Sequence, residues 1–228
     1  MVLLGSMRVR IFQADWLRKH WLQILVHAGA LLPLVLILWD YAQGTFLVDP
    51  VREITTRTGR TAIVLVVLTL ACTPINTVFG FRQVLRLRRP LGMYAFLYVG
   101  LHFLTFVWLD YALDLPLLFA AIFEQRYVVV GFASGLILLL LALTSTKGWQ
   151  RRLGKRWKRI HRFVYVAGIL AVVHYLWLSK DIRDPLRYGI LVAILLVLRI
   201  PQIQRAVSNM RYKLSRRWKA RGDSSTAA

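Results

Sequence analysis

Six blocks of strongly apolar sequence, parted by short charged segments, decide what this chain can become. Most are about 20 residues long, the length that crosses a ~30 Å hydrocarbon layer as a helix. The blocks lie at residues 21–39, 60–79, 91–109, 127–144, 160–178 and 186–200. They predict an all-α integral membrane protein, a six-transmembrane-helix bundle. Residues 113–123 are also apolar, but short and interrupted by Pro116. They are expected to form a loop or interfacial turn, too short for a seventh span. The single cysteine, Cys72, lies inside an apolar block and reads as a small buried residue. It excludes an intrachain disulfide or a thiolate cluster.

The net charge of +21 suggests a nucleic-acid partner until its distribution is considered. Of the 31 Lys and Arg, 24 fall in the N-terminal segment, the gaps after the second and fourth blocks, and the C-terminal tail. The three alternate gaps hold the remaining seven, and also eight of the ten acids. An even number of spans with this asymmetry places both termini in the cytoplasm. The basic charge is therefore topological, and no nucleic-acid partner is expected. Residues 1–19, with Arg8, Arg10, Arg18 and Lys19, read as a basic cytoplasmic segment without a cleavable signal. Either Met1 or Met7 can serve as the start. Residues 20–205 form the membrane domain. Residues 206–228 form a basic cytoplasmic tail suited to lipid headgroups. Tryptophans and tyrosines near block ends, such as Trp39, Trp108 and Tyr127, match interfacial anchors. No internal repeat stands out.

Ionisable residues at membrane depth mark function, and here they are histidines. A neutral imidazole nitrogen is an axial haem ligand. The third and fifth blocks run in the same direction. His102 lies about 11 residues into one and His174 about 14 into the other, so at ~1.5 Å per residue their depths agree within about one turn. This pair can hold a haem between helices 3 and 5, in the outer half of the bilayer. His161 precedes His174 by 13 residues, about 20 Å along the axis and off the same stripe. Helix curvature or local 3₁₀ geometry would have to absorb part of that mismatch. His27 or His20, from the first block, is a possible ligand at an inner site facing His161. The plainer alternative for His27 is a hydrogen bond between helices.

Particular stretches carry a resemblance. They are Thr58-Gly59-Arg60-Thr61-Ala62, Arg88-Arg89-Pro90-Leu91-Gly92, Leu101-His102, Thr144-Ser145-Thr146, the run from Leu153 to Tyr165 around His161, and Val173-His174-Tyr175-Leu176-Trp177. In this order they resemble the MsrQ (YedZ) family of the ferric-reductase-like transmembrane group, over residues 16–205. The resemblance implies one or two b-type haems on His102, His174 and His161, and FMN as a further cofactor. It implies electrons taken from the quinone pool or a cytoplasmic flavin reductase. It implies their delivery to a periplasmic molybdopterin-dependent methionine sulfoxide reductase that repairs oxidised proteins, across the bacterial inner membrane. The chain would then be an electron-transfer subunit and not itself the catalyst. Arg88, Arg89, Lys155 and Arg156 are candidates to hold FMN or quinone, and the acidic outer loops to dock the partner. Two other readings compete: a stand-alone ferric-ion reductase with the same haem machinery, and a histidine-based transporter. The spans carry no mid-membrane Asp or Glu to support the latter.

Overall fold

The computed structural model describes the backbone of residues 2–46 and 48–225, and the side chains of residues 20–46 and 48–213. It is helical, with no strand among the described residues. Helix α1 covers Val2–Ala42 and α2 Pro50–Phe79. A 3₁₀ segment, Arg82–Leu87, leads into α3, Arg88–Leu104, which runs on through a π-helical turn, Thr105–Asp110. Then come α4 (Leu115–Glu124), α5 (Arg126–Leu143), α6 (Lys147–Leu153) and α7 (Lys155–Ile160). A 3₁₀ turn, His161–Phe163, joins α7 to α8, Val164–Leu178. The chain ends in α9 (Arg183–Val197) and α10 (Pro201–Ser225). The choice between Met1 and Met7 as start and the last residues of the tail, 226–228, lie outside the described residues.

Five segments are long and apolar enough to cross a membrane: His20–Ala42, Pro50–Phe79, Arg82–Asp110, Arg126–Leu143 and Lys155–Leu178. The sixth expected span is a broken one. Helix α9 stops at Val197, and α10 leaves at 77°. Pro201 disfavours helical geometry at the residue before it, so an apolar run that reads as continuous is bent there. Two more expectations need correction. The second span begins at Pro50, ten residues before its apolar block. Asp49 caps it by accepting from the Arg52 N–H at 2.9 Å, and Pro50 suits a first helical turn. Arg52, Glu53 and Arg57 had masked that start. Residues 115–124 form a helix and not a loop, started by Asp114 accepting from the Leu117 N–H. At ten residues it is too short to span.

Leucines and isoleucines such as Leu25, Leu38, Leu143 and Ile194 are exposed on the flanks, as lipid contact requires. The centre holds small residues and a few polar ones. Ala95 and Ala167 are buried, and the Gly168 backbone sits against Leu70. Close approach of this kind is how membrane helices gain packing energy. Tyr98, fully buried, donates to the Ala30 carbonyl at 2.7 Å, and Ser134 donates to the Ala167 carbonyl at 2.9 Å. Cys72 is buried as expected.

Helix α2 is the hub, packed against α1, α3, α8, α9 and α10. Pro74 lies inside it. Proline has no N–H, so the carbonyl four residues earlier loses its helical partner. That carbonyl belongs to Leu70. The Arg199 guanidinium, from the α9–α10 bend, donates to it at 2.6 Å and to the Tyr165 hydroxyl at 2.7 Å. Arg211 of α10 donates to the Asn76 and Thr77 carbonyls at the end of α2, which closes on Gly80 with φ 74°. At the opposite, acidic end, Arg57 pairs with Asp40 at 2.5 Å and Arg60 with Asp184. Asp40, Glu53 and Asp184 are thus ion-paired, while Asp49, Asp114 and Asp181 accept backbone N–H groups. Of these acids, Asp40 and Asp184 tie α1 and α9 to α2, and the others act within their own helix or at its start.

Arg199→Met is expected to strand the Leu70 carbonyl and to cost about 1–3 kcal/mol, measured as thermal unfolding in mild detergent. Pro74→Ala restores an N–H to that carbonyl. The Arg199→Met penalty should shrink in the Pro74→Ala background; full additivity would contradict the pairing.

Candidate functional site

His102 lies on α3 and His174 on α8, both half-buried. Each histidine is packed against a neighbouring helix that offers it a carbonyl. His102 Nδ1 is 2.9 Å from the Thr55 carbonyl oxygen of α2, and His174 Nδ1 is 2.7 Å from the Tyr127 carbonyl oxygen of α5. A carbonyl only accepts, so both rings carry their proton on Nδ1 and keep the Nε2 lone pair free. Hydrogen bonding of this type orients an imidazole ligand and raises its basicity.

The two rings then meet. Their centroids are 6.2 Å apart and their planes at 83°. Imidazoles on opposite sides of one metal, each bonded at about 2.0–2.1 Å, would have centroids about 6 Å apart. The structure therefore brings His102 and His174 together, at a ring spacing that one metal between them would fit. Among the described residues no cluster of three or more His, Cys, Asp or Glu is placed to hold a bare metal ion. A metal at this pair must bring its remaining ligands with it.

Two glycines make room for the rings. A Cβ on Gly59 would lie 3.0 Å from His102 Nδ1, and one on Gly131 2.5 Å from His174 Nδ1. Each glycine stands one helical turn beyond the carbonyl that accepts from the same histidine. Neither carbonyl was foreseen from the sequence, since a main-chain acceptor has no residue signature. The glycines could have been suspected, because glycine inside a helix is costly without a packing reason.

The other candidates stand apart from this pair. His161 begins the 3₁₀ turn between α7 and α8, so tighter winding does separate it from His174. Its Nε2 is 3.1 Å from Thr144 Oγ1, and its ring stacks on Trp157 at 4.1 Å. The Trp157 indole N–H donates to the Thr144 carbonyl at 2.9 Å. The Thr144 hydroxyl also lies 2.7 Å from the Leu140 carbonyl, to which it can donate. A ligand role through Nε2 requires it to leave Thr144. His27 is exposed on the flank of α1, with Nδ1 2.9 Å from the Tyr94 hydroxyl of α3, the interhelical bond that was its plainer alternative. His20 is half-buried at the start of the first span. Arg88 is exposed and donates to Thr73 Oγ1 at 3.2 Å. Arg89 is exposed beside α1, and Lys155 and Arg156 are exposed on α7.

The profile of the family described as ferric reductase like transmembrane component matches residues 58–172, which contain Gly59, His102, Gly131 and His161. Several proteins named protein-methionine-sulfoxide reductase heme-binding subunit MsrQ align over most of the chain. The protein from Xanthomonas axonopodis pv. citri is 43% identical over 183 residues, covering 77% of this chain and 84% of its own. That from Xanthomonas campestris pv. campestris is 42% identical over 182 residues, with the same coverages. That from Cronobacter sakazakii is 38% identical over 186 residues, covering 81% and 93%. On these identities over most of both chains, and on the family profile, this chain belongs to the MsrQ family of ferric-reductase-like membrane proteins.

Proposed function

We propose that this chain is a haem b-binding electron-transfer subunit that serves a methionine sulfoxide reductase from within the membrane. The observation that carries the reading is the opposed pair His102 and His174, each fixed through Nδ1–H to a helix carbonyl with Nε2 directed away from that bond. Two protein ligands suit a metal whose other positions are filled by a macrocycle. Haem held there supplies a one-electron redox centre inside the apolar layer. The protein's own contribution is orientation and exclusion of water. The carbonyls of Thr55 and Tyr127 set both rings, Gly59 and Gly131 admit them, and the surrounding helices keep the site dry.

The charge asymmetry supports both termini in the cytoplasm, in a bacterial inner membrane. Electrons would enter at the basic face from quinol or reduced flavin, with Arg88, Arg89, Lys155 and Arg156 available to a phosphate-bearing flavin. They would leave at the acidic, periplasmic face to a molybdopterin-dependent reductase of oxidised protein methionine. His161, stacked on Trp157 on the basic side of the central pair, is the residue for a second haem or for the entry route.

The reading is tested by the visible spectrum and haem content of the purified chain. A sharp reduced α-band should appear in the parent and vanish in His102→Ala and His174→Ala. A colourless parent, or a band indifferent to both substitutions, would sink the proposal. His161→Ala should retain the central band, and any fall in haem per chain would report a second centre. Reduced protein that transfers electrons to Fe(III) chelates as well as to a periplasmic reductase would favour the stand-alone ferric reductase.

The glycines give a graded test. Gly131→Ala forces a methyl against His174 and is expected to weaken haem retention about tenfold, from an overpacking cost of about 1–3 kcal/mol. Gly59→Ala has more room and should do less. Equal, unperturbed spectra in both variants would show that the rings are not held as described.

A further inference from the structure

The region of α1 and α3 at the basic end of the bundle contains a cleft of about 620 Å³ that the haem pair does not use. Its volume is that of an ordinary ligand site. At its outer end are Arg86 and Arg89, both exposed and neither ion-paired among the described residues. Farther along α3 stand Tyr94 and, from α1, Gln23 and His27. Met93 and Leu97, both about 40% exposed, line its apolar part. The wall is thus cationic at Arg86 and Arg89 and apolar at Leu97, with Met93 beside Tyr94 between them.

The hydrogen-bonding sense of this wall is informative. The two guanidiniums can only donate. The His27–Tyr94 bond leaves one donor over in either tautomer, His27 Nε2–H if the tyrosine donates to Nδ1 or the Tyr94 O–H if Nδ1–H donates to the tyrosine, beside acceptor lone pairs on the pair and on Gln23. No carboxylate lines the cleft. An occupant rich in acceptors, with negative charge at one end and hydrocarbon at the other, fits it well. Histidine exposed on a membrane-facing flank also calls for a polar partner, because an unmet imidazole in hydrocarbon is costly.

We infer that this cleft is a binding site for one anionic glycerophospholipid. Its phosphate lies between Arg86 and Arg89, its ester oxygens face Gln23 and the His27–Tyr94 pair, and an acyl chain follows Met93 and Leu97. Basic pockets between membrane helices on the cytoplasmic side bind acidic headgroups for the same reasons. The lipid bridges α1 to α3 and so fastens the first span, the least enclosed of the long apolar helices, to the bundle.

The test uses the full chain, purified in uncharged detergent and stripped of lipid, titrated with short-chain phosphatidylglycerol. Adducts are read by native mass spectrometry and melting by intrinsic fluorescence. A saturable one-to-one adduct that raises the melting temperature is expected. Losing the charge-assisted bonds in Arg86→Gln/Arg89→Gln should weaken it about tenfold or more. Arg151→Gln/Arg152→Gln, exposed arginines on α6, should leave it unchanged, and Met93→Trp should weaken it by filling the apolar part. Four results would overturn the assignment: equal binding of phosphatidylcholine, undiminished binding in Arg86→Gln/Arg89→Gln, reproduction of the effect by inorganic or glycerol phosphate, or displacement of the lipid by an equimolar short-chain quinol.

Discussion

A helix carbonyl inside a membrane has a second lone pair and no water to share it with. Side-chain donors in the interior of this protein find partners there. Tyr98 donates to Ala30, Ser134 to Ala167, Arg199 to Leu70, His102 to Thr55 and His174 to Tyr127. Each bond joins two different helices and buries a donor that hydrocarbon would penalise. The fold and the site are therefore held by one device. In three places the bond ties the bundle; in two it sets the ring of a histidine.

That device explains what was legible in the sequence and what was not. Apolar blocks, charge asymmetry and the depths of His102 and His174 are written in side-chain identity, and they led to the helical membrane bundle and to the paired histidines. The start of α2 was misread because charge entered the span: Arg52, Glu53 and Arg57 hid its first ten residues, although Asp49 and Pro50 signalled them. The bend after Val197 was missed because its cause, Pro201, lies beyond the apolar run. The acceptors of Thr55 and Tyr127 could not be read at all, since any residue but its neighbours' packing would supply the same carbonyl.

The sequence carries no evident repeat, yet the site is built twice in the same way. His102 and His174 each reach back 47 residues to a carbonyl, and each packs over a glycine one turn beyond it. Helices α2 and α3 form one such pair, and α5 and α8 the other. The two rings consequently share one tautomer and one kind of anchor. His161, tied through Nε2 to a threonine hydroxyl, does not follow this pattern. Its acceptor can leave by a rotamer change at Thr144, whereas the acceptors of the central rings are main-chain atoms fixed in a helix.

Anchoring through the main chain has an evolutionary side. Thr55 and Tyr127 hold the rings through main-chain atoms that every amino acid possesses, while their side chains add separate contacts: the Thr55 hydroxyl donates to Thr105 Oγ1 and the Tyr127 ring lies 6.2 Å from that of His174. What selection can see is the space beside them. In this architecture the heritable mark of the site, apart from the histidines themselves, is an absence of atoms at Gly59 and Gly131.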